Sequence, residues 1–156
     1  MQMVHEMRRL RAEHAALSVL SESLAALVAA DTPASLRAIE AARADLRDSL
    51  TCHLKCEDWA LYPRLLASGD ERLRGLAARF VADMGDVAER FTAYDRGWNS
   101  ARILADWKGF GAETRTMLAL LDERIEREER DLYPRAEAIG EISLEPVETV
   151  LRRAGC

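Results

Sequence analysis

Two stretches decide the reading of this chain: CHLKCEDWALYPRL, residues 52–65, and ERIEREERDLYPRA, residues 123–136. Aligned, Glu57 falls on Glu128, Asp58 on Glu129, Leu61 on Leu132, and Tyr62-Pro63-Arg64 on Tyr133-Pro134-Arg135. His53 falls on Arg124. One segment is written twice, with a histidine in one copy and an arginine in the other.

The setting of this repeat is helical. The chain has 156 residues, 49% apolar and 31% charged, with only four prolines and eight glycines, which is the composition of a helix bundle large enough for one core. We expect a single domain over 1–156. Apolar residues recur at helical spacing, and no stretch shows the alternation of a strand. The first long helix is expected from about Val4 to Ala30, with Thr32 capping the next and Pro33 in its first turn. The second extends to about Leu66, its last turn loosened by Pro63, which removes an intrahelical donor. After Ser68-Gly69-Asp70, where Asp70 suits an N-cap, the third covers about Glu71 to Arg96. The fourth follows Gly97-Trp98-Asn99-Ser100 and runs to about Ala138, weakened near Gly109 and Gly111. A short last helix is expected from about Leu144 to Arg153. Short connections make neighbours antiparallel, so the fold expected is all-α, an up-down-up-down four-helix bundle with a short C-terminal fifth helix.

Each long helix carries one stripe for the bundle axis. On the first it is Leu10, His14, Leu17, Ser21, Leu24 and Val28; on the second, Ile39, Leu46, Leu50, His53, Glu57 and Leu61. The third offers Phe80, Met84, Val87 and Phe91, and the fourth Met117, Leu121, Arg124, Glu128 and Leu132. A lone inward histidine is ordinarily a hydrogen-bonded core residue. Ionisable groups converging from three helices are different, because buried carboxylates are costly unless paired or bound to a cation.

These residues carry a resemblance. Glu13-His14, His53-x-x-x-Glu57 and the Glu-Glu-x-x-Leu-Tyr-Pro run from Glu128 to Pro134 resemble the hemerythrin family, the HHE cation-binding domains, in order and spacing over nearly the whole chain. The resemblance implies a four-helix bundle holding a non-haem di-iron centre, used for oxygen binding, sensing, iron handling or repair. It implies that Glu57 and Glu128 are the bridging carboxylates and that His14 and His53 serve one iron. The other iron's histidines are missing: Arg124 stands at the fourth-helix position and Met84 is the inward candidate on the third, with Asp83 and Asp86 pointing away. Arginine stays protonated and does not ligate metal, so its guanidinium is expected to donate to Glu57 and Glu128 instead. Two carboxylates and Arg124 leave one negative charge, which one protonated histidine would balance, and two metal ions would overcharge the pocket.

The sequence therefore favours a regulatory or interaction protein without a di-iron centre. The alternative is a mononuclear iron, manganese or zinc sensor or storage protein using His14, His53, Glu57 and Glu128. An enzyme is not expected, since no nucleophile triad, phosphate loop or separate acid pair is present. The cofactor expected is none, or one divalent transition metal. A net charge of -5 and no basic cluster argue against nucleic acid as a partner, no segment is apolar enough for a membrane, and a protein partner remains open. Three cysteines, an odd number, suggest a reducing cytoplasmic setting with Cys52 and Cys56 as small semi-buried residues and Cys156 as a mobile free thiol. Tyr62 and Tyr133 could donate to the bridging carboxylates but are expected mainly to pack at helix ends, Trp59, Trp98 and Trp107 to fill core or rim, His5 to face away from His14, and residues 124–130 to form a mostly solvated, ion-paired face.

Overall fold

The computed structural model describes residues 2–33, 35–139, 149, 152, 153, 155 and 156. Four rods pack around one apolar axis. The first is α1 (Gln2–Val28). The second is α2 (Leu36–Cys56), a π-helical turn (Glu57–Leu61) and α3 (Tyr62–Leu66). The third is α4 (Glu71–Met84) and α5 (Val87–Gly97). The fourth is α6 (Ser100–Ala105), α7 (Trp107–Arg127), a second π-helical turn (Glu128–Leu132) and α8 (Tyr133–Ile139). Among the described residues there is no strand. The expected fifth helix lies mostly outside the described residues.

All four axial stripes read from the sequence are buried, including their polar members His14, Ser21, His53, Glu57, Arg124 and Glu128. Burying one Leu or Phe side chain contributes about 1.5–3 kcal/mol, so stripes of this length carry the fold. His5 is exposed. Trp98 is in the core, Trp107 is half-buried, and Trp59 departs from expectation by standing 48% exposed beneath the Lys55 ammonium.

Three boundaries differ from the sequence reading, each for a local reason. The cap of α2 is Ser35, whose hydroxyl accepts from the Ala38 amide, rather than Thr32. The third rod is broken after Met84, where Gly85 closes α4 by donating to the Val81 carbonyl at 2.9 Å and α5 restarts at Val87. The fourth rod breaks at Asp106 and not at the glycines: Asp106 caps the Gly109 amide at 2.9 Å. A Cβ on Gly109 would stand 2.1 Å from that carboxylate, so a glycine permits the cap rather than weakening the helix. Asp70 caps α4 as expected, accepting from Leu73.

Far from the centre, the buried Arg43 guanidinium ties α2 to the end of α5. It donates to the carbonyls of Asp95 and Trp98, both at 2.8 Å, satisfying acceptors that a helix C-terminus leaves open.

Candidate metal centre

Both π turns begin at the paired glutamates. The amide of Tyr62 reaches back five residues to the Glu57 carbonyl, and that of Tyr133 to the Glu128 carbonyl. Pro63 and Pro134 follow immediately and cannot donate to the preceding turn, which relaxes the ladder at the same place in both copies. In a regular α-helix a residue five positions on is rotated by about 140° from the first. The widened turn brings Tyr62 and Tyr133 back inward, where both are buried.

Packing alone, the preferred expectation for these tyrosines, is thereby corrected in favour of its alternative, donation to the bridging carboxylates. Tyr62 donates to Glu128 Oε1 on the fourth rod and Tyr133 to Glu57 Oε1 on the second, a crossed pair in which each copy of the repeat serves the other's carboxylate. The Tyr133 ring also stacks on His14 at 5.2 Å between centroids.

His14, His53, Glu57 and Glu128 come together, each offering one ligand atom within 4.8 Å of the others. Both histidines direct Nε2 at the glutamates: His14 Nε2 lies 3.0 Å from Glu128 Oε2, and His53 Nε2 lies 3.3 Å from Glu57 Oε1. Neither His53 Nε2 nor Glu128 Oε2 has a hydrogen-bond partner, the 3.0 Å approach of His14 lacking the alignment of one. The opposite ring nitrogens are held by carboxylates, His14 Nδ1 by Glu129 Oε1 at 2.6 Å and His53 Nδ1 by Glu13 Oε2 at 2.7 Å. A carboxylate behind each imidazole fixes its orientation and raises its basicity, as behind metal-ligating histidines generally. Ligand bonds of about 2.0–2.2 Å place tetrahedral ligand atoms about 3.4 Å apart, so the wider separations in this set, up to 4.8 Å, must close by roughly 1 Å on binding. Two nitrogens and two carboxylate oxygens, two of these four atoms being buried without a hydrogen bond, are a donor set that fits one divalent ion.

Arg124 is 1% exposed and fills the other side of the carboxylate pair. Its Nη2 donates to Glu57 Oε2 at 2.9 Å and to Asp58 Oδ1 at 3.0 Å, its Nε donates to Glu128 Oε1 at 2.9 Å, and its Nη1 reaches the Met84 carbonyl at 3.3 Å. The Tyr62 and Phe80 rings flank it. Met84 thus contributes a backbone oxygen at the break in the third rod. Asp83 and Asp86 are exposed, and Asp83 pairs with Arg127 at 3.0 Å.

Asp58 changes the charge count. Three carboxylates, Glu57, Glu128 and Asp58, face one guanidinium, leaving two negative charges when the histidines are neutral. Either two protons or one divalent ion balances this. Burial opposes protonation of His14, yet its contacts with Glu128 and Glu57 outweigh it and raise the pKa to about 9. Burial is likewise overcome at His53, where the charge of Glu57 and the bond to Glu13 raise it to about 10. Glu57 is held well below the ordinary carboxylate range: burial pushes it up, but His53, His14 and Arg124 outweigh burial. Glu128 is raised by burial and by the charge of Glu57.

Sequence reasoning missed Glu13, Asp58 and Glu129. Each adjoins a stripe residue in the chain, and their side chains are partly exposed, at 29%, 26% and 32%. The face from 124 to 130 is accordingly not a simple solvated surface: Glu129 turns in to His14 and also pairs with Arg11. The largest correction concerns the cysteines. Cys52 and Cys156 form a disulfide, and the free, buried thiol is Cys56, its pKa pushed up to about 11 by burial and the charge of Glu13. A surface cavity of about 660 Å³ between α4 and residues 131–135 is lined by none of the four donors.

A four-helix bundle with histidines and glutamates converging between its rods is the architecture of a cation-binding helical domain. The chain matches the Hemerythrin HHE cation binding domain over residues 5–136, and it belongs to that family. No curated protein and no solved structure gives a significant match. No helix among the described residues is long and apolar enough to cross a membrane.

Proposed function

We propose that this hemerythrin-family domain binds a single divalent transition metal ion through His14, His53, Glu57 and Glu128, and acts as a metal-responsive regulatory domain, not an oxygen carrier or an enzyme. The observation that carries this reading is the arrangement of the two imidazoles, both Nε2 atoms aimed at the glutamates and both Nδ1 atoms held by carboxylates, with His53 Nε2 and Glu128 Oε2 facing opposite charges but making no hydrogen bond. Iron(II), manganese(II) and zinc(II) all suit two nitrogens and two oxygens.

A second metal does not fit. Its side of the carboxylate pair is taken by the Arg124 guanidinium, a fixed positive charge already bonded to Glu57, Glu128 and Asp58. The third rod presents Met84 at this level. Two divalent ions would leave two positive charges in excess in a buried pocket, which is costly. Arg124 serves as a permanent stand-in for the second cation, so the reversible two-electron chemistry that two irons would share is not available. When bound, the one ion would supply a Lewis-acidic centre whose occupancy or oxidation state a partner can read.

A second reading, a metal-free interaction module, is favoured by the charge balance: with both histidines protonated, the pocket is neutral without any ion. The Cys52–Cys156 disulfide removes the free-thiol argument for a reducing cytoplasmic setting. Metal analysis of protein purified with iron, manganese and zinc supplied separates the readings. One ion per chain supports the first, none in any preparation the second, and two irons with oxo-bridge absorption bands overturn both.

A further inference from the structure

All three cysteines of the chain line one cavity of about 320 Å³ between α1 and α2. Its other walls are Arg9, Glu13, Ala16, Leu17, Ser49 and His53. The metal centre's outer pair, His53 Nδ1 and Glu13 Oε2, therefore forms one side of the cavity, and the Cys52–Cys156 disulfide forms another. Cys52 directly precedes His53 in α2 and is half-buried, whereas Cys156 is exposed.

We propose that this disulfide is a redox-controlled latch over the His53 side of the centre: oxidised, it fixes Cys156 as a cavity wall and slows metal exchange; reduced, it opens the way to Glu13 and His53. The chemistry needs an external dithiol. Its thiolate attacks the exposed Cys156 sulfur and breaks the Sγ–Sγ bond, and Cys52 leaves as a thiolate that takes up a proton. The second thiol of the dithiol then resolves the mixed disulfide and releases Cys156. The protein gains two electrons and two protons, and the dithiol becomes a disulfide.

Position selects this function over simple stapling. The bond joins residues 104 apart, yet its attachment point is the residue next to a candidate ligand, in the cavity that ligand lines. The other histidine has no such arrangement: behind His14 stand Glu129 and Arg11, and no cysteine. Cys56 sits on the same cavity wall as a buried free thiol and reports directly on whether the wall is closed.

The metal half of this proposal rests on the single-ion reading, so the test uses two readouts. The full chain is compared as oxidised protein, as reduced and desalted protein, and as Cys156→Ser, which alters an exposed position away from the four donors; circular dichroism verifies that each is folded. The first readout is the rate at which a chromogenic chelator removes iron(II) under anaerobic conditions. It is expected to be at least tenfold faster in the reduced and Cys156→Ser proteins, with Cys156→Ser insensitive to reductant. The second is alkylation of Cys56, followed by peptide mass spectrometry without any metal, and a rise of at least tenfold is expected on opening.

Binding of none of iron(II), manganese(II) and zinc(II) by either form defeats the single-ion reading alone, and Cys56 alkylation then decides whether the latch exists. Equal alkylation in all three proteins overturns the latch, and so do equal removal rates in proteins that do bind iron(II). Three free thiols persisting after mild oxidation with oxidised glutathione overturn it as well.

Discussion

Arg124 Nη2 lies 2.9 Å from Glu57 Oε2, and the two groups, 1% and 0% exposed, are joined across the bundle from the second rod to the fourth. Glu57 and Glu128 are thus bound to a cation that the chain itself supplies. Removing one partner of such a buried pair costs about 3–5 kcal/mol, because the other charge is left uncompensated. We expect Arg124→Ala to lose stability of that order in metal-free buffer, measured by urea denaturation. Added manganese(II) or zinc(II) should restore part of the loss by binding the orphaned carboxylates. A neutral Arg124→Ala would mean that the guanidinium is not holding the glutamates.

Refilling the second site takes two changes. Arg124→His removes the stand-in cation and adds a donor, and Met84→His adds another from the third rod. The double variant should raise metal stoichiometry from one towards two per chain, read by elemental analysis. Stoichiometry unchanged at one would place the exclusion of the second ion elsewhere than in Arg124.

Glu13 and Glu129 touch the imidazoles from behind and should matter through them. Loss of a carboxylate behind a ligating histidine typically costs about 10–100-fold in metal affinity. Glu13→Gln is expected to weaken zinc(II) binding within that range, measured by competition with a chelating dye, and leave the fold intact, since Glu13 is 29% exposed. Unchanged affinity would show that the pair does not orient His53.

The bundle and its four buried stripes were legible because helical periodicity holds along most of the chain, and His14, His53, Glu57, Arg124 and Glu128 are polar residues on otherwise apolar faces. What periodicity could not give lies where the helix departs from 3.6 residues per turn. Extrapolating a regular helix past Glu57 turns Tyr62 away from the axis, whereas the π turn brings it to Glu128. The repeat itself held a usable signal, Glu-x4-Tyr-Pro in both copies, with proline marking each disturbed turn. Asp58, Glu13 and Glu129 were hidden because side chains at the edge of a buried stripe reach inward by length. The Cys52–Cys156 bond joins residues 104 apart, and no local pattern predicts such a pairing.

The crossed tyrosines give a prediction of their own. Tyr62 and Tyr133 each donate to a fully buried carboxylate, and a hydrogen bond to a charged group contributes about 1.5–3 kcal/mol. Tyr62→Phe and Tyr133→Phe should each destabilise the metal-free protein by that amount in chemical denaturation. Their effects should be less than additive, because Arg124 bridges the same two carboxylates and can redistribute its bonds. Full additivity would indicate two independent sites.

Protons and metal compete for the same atoms, and this sets the pH dependence. His14 and His53 take up protons with pKa values of about 9 and about 10 in the folded metal-free chain, against about 6.5 unfolded. Their stabilising contribution is therefore complete below about pH 6.5 and is lost as pH rises through about 9 and about 10. Metal-free protein should melt at progressively lower temperature across that window. A ligating histidine must be neutral, so an ion entering at pH 7 displaces about two protons. Calorimetry in buffers of different ionisation enthalpy should count close to two protons released per zinc(II), and affinity should climb steeply from pH 7 to 9. Metal-loaded protein has no proton left to lose at these nitrogens, so its melting temperature should stay level where that of the metal-free form falls. Zinc(II) binding without proton release would mean that the histidines are neutral beforehand, and the two negative charges of the pocket would then need another partner.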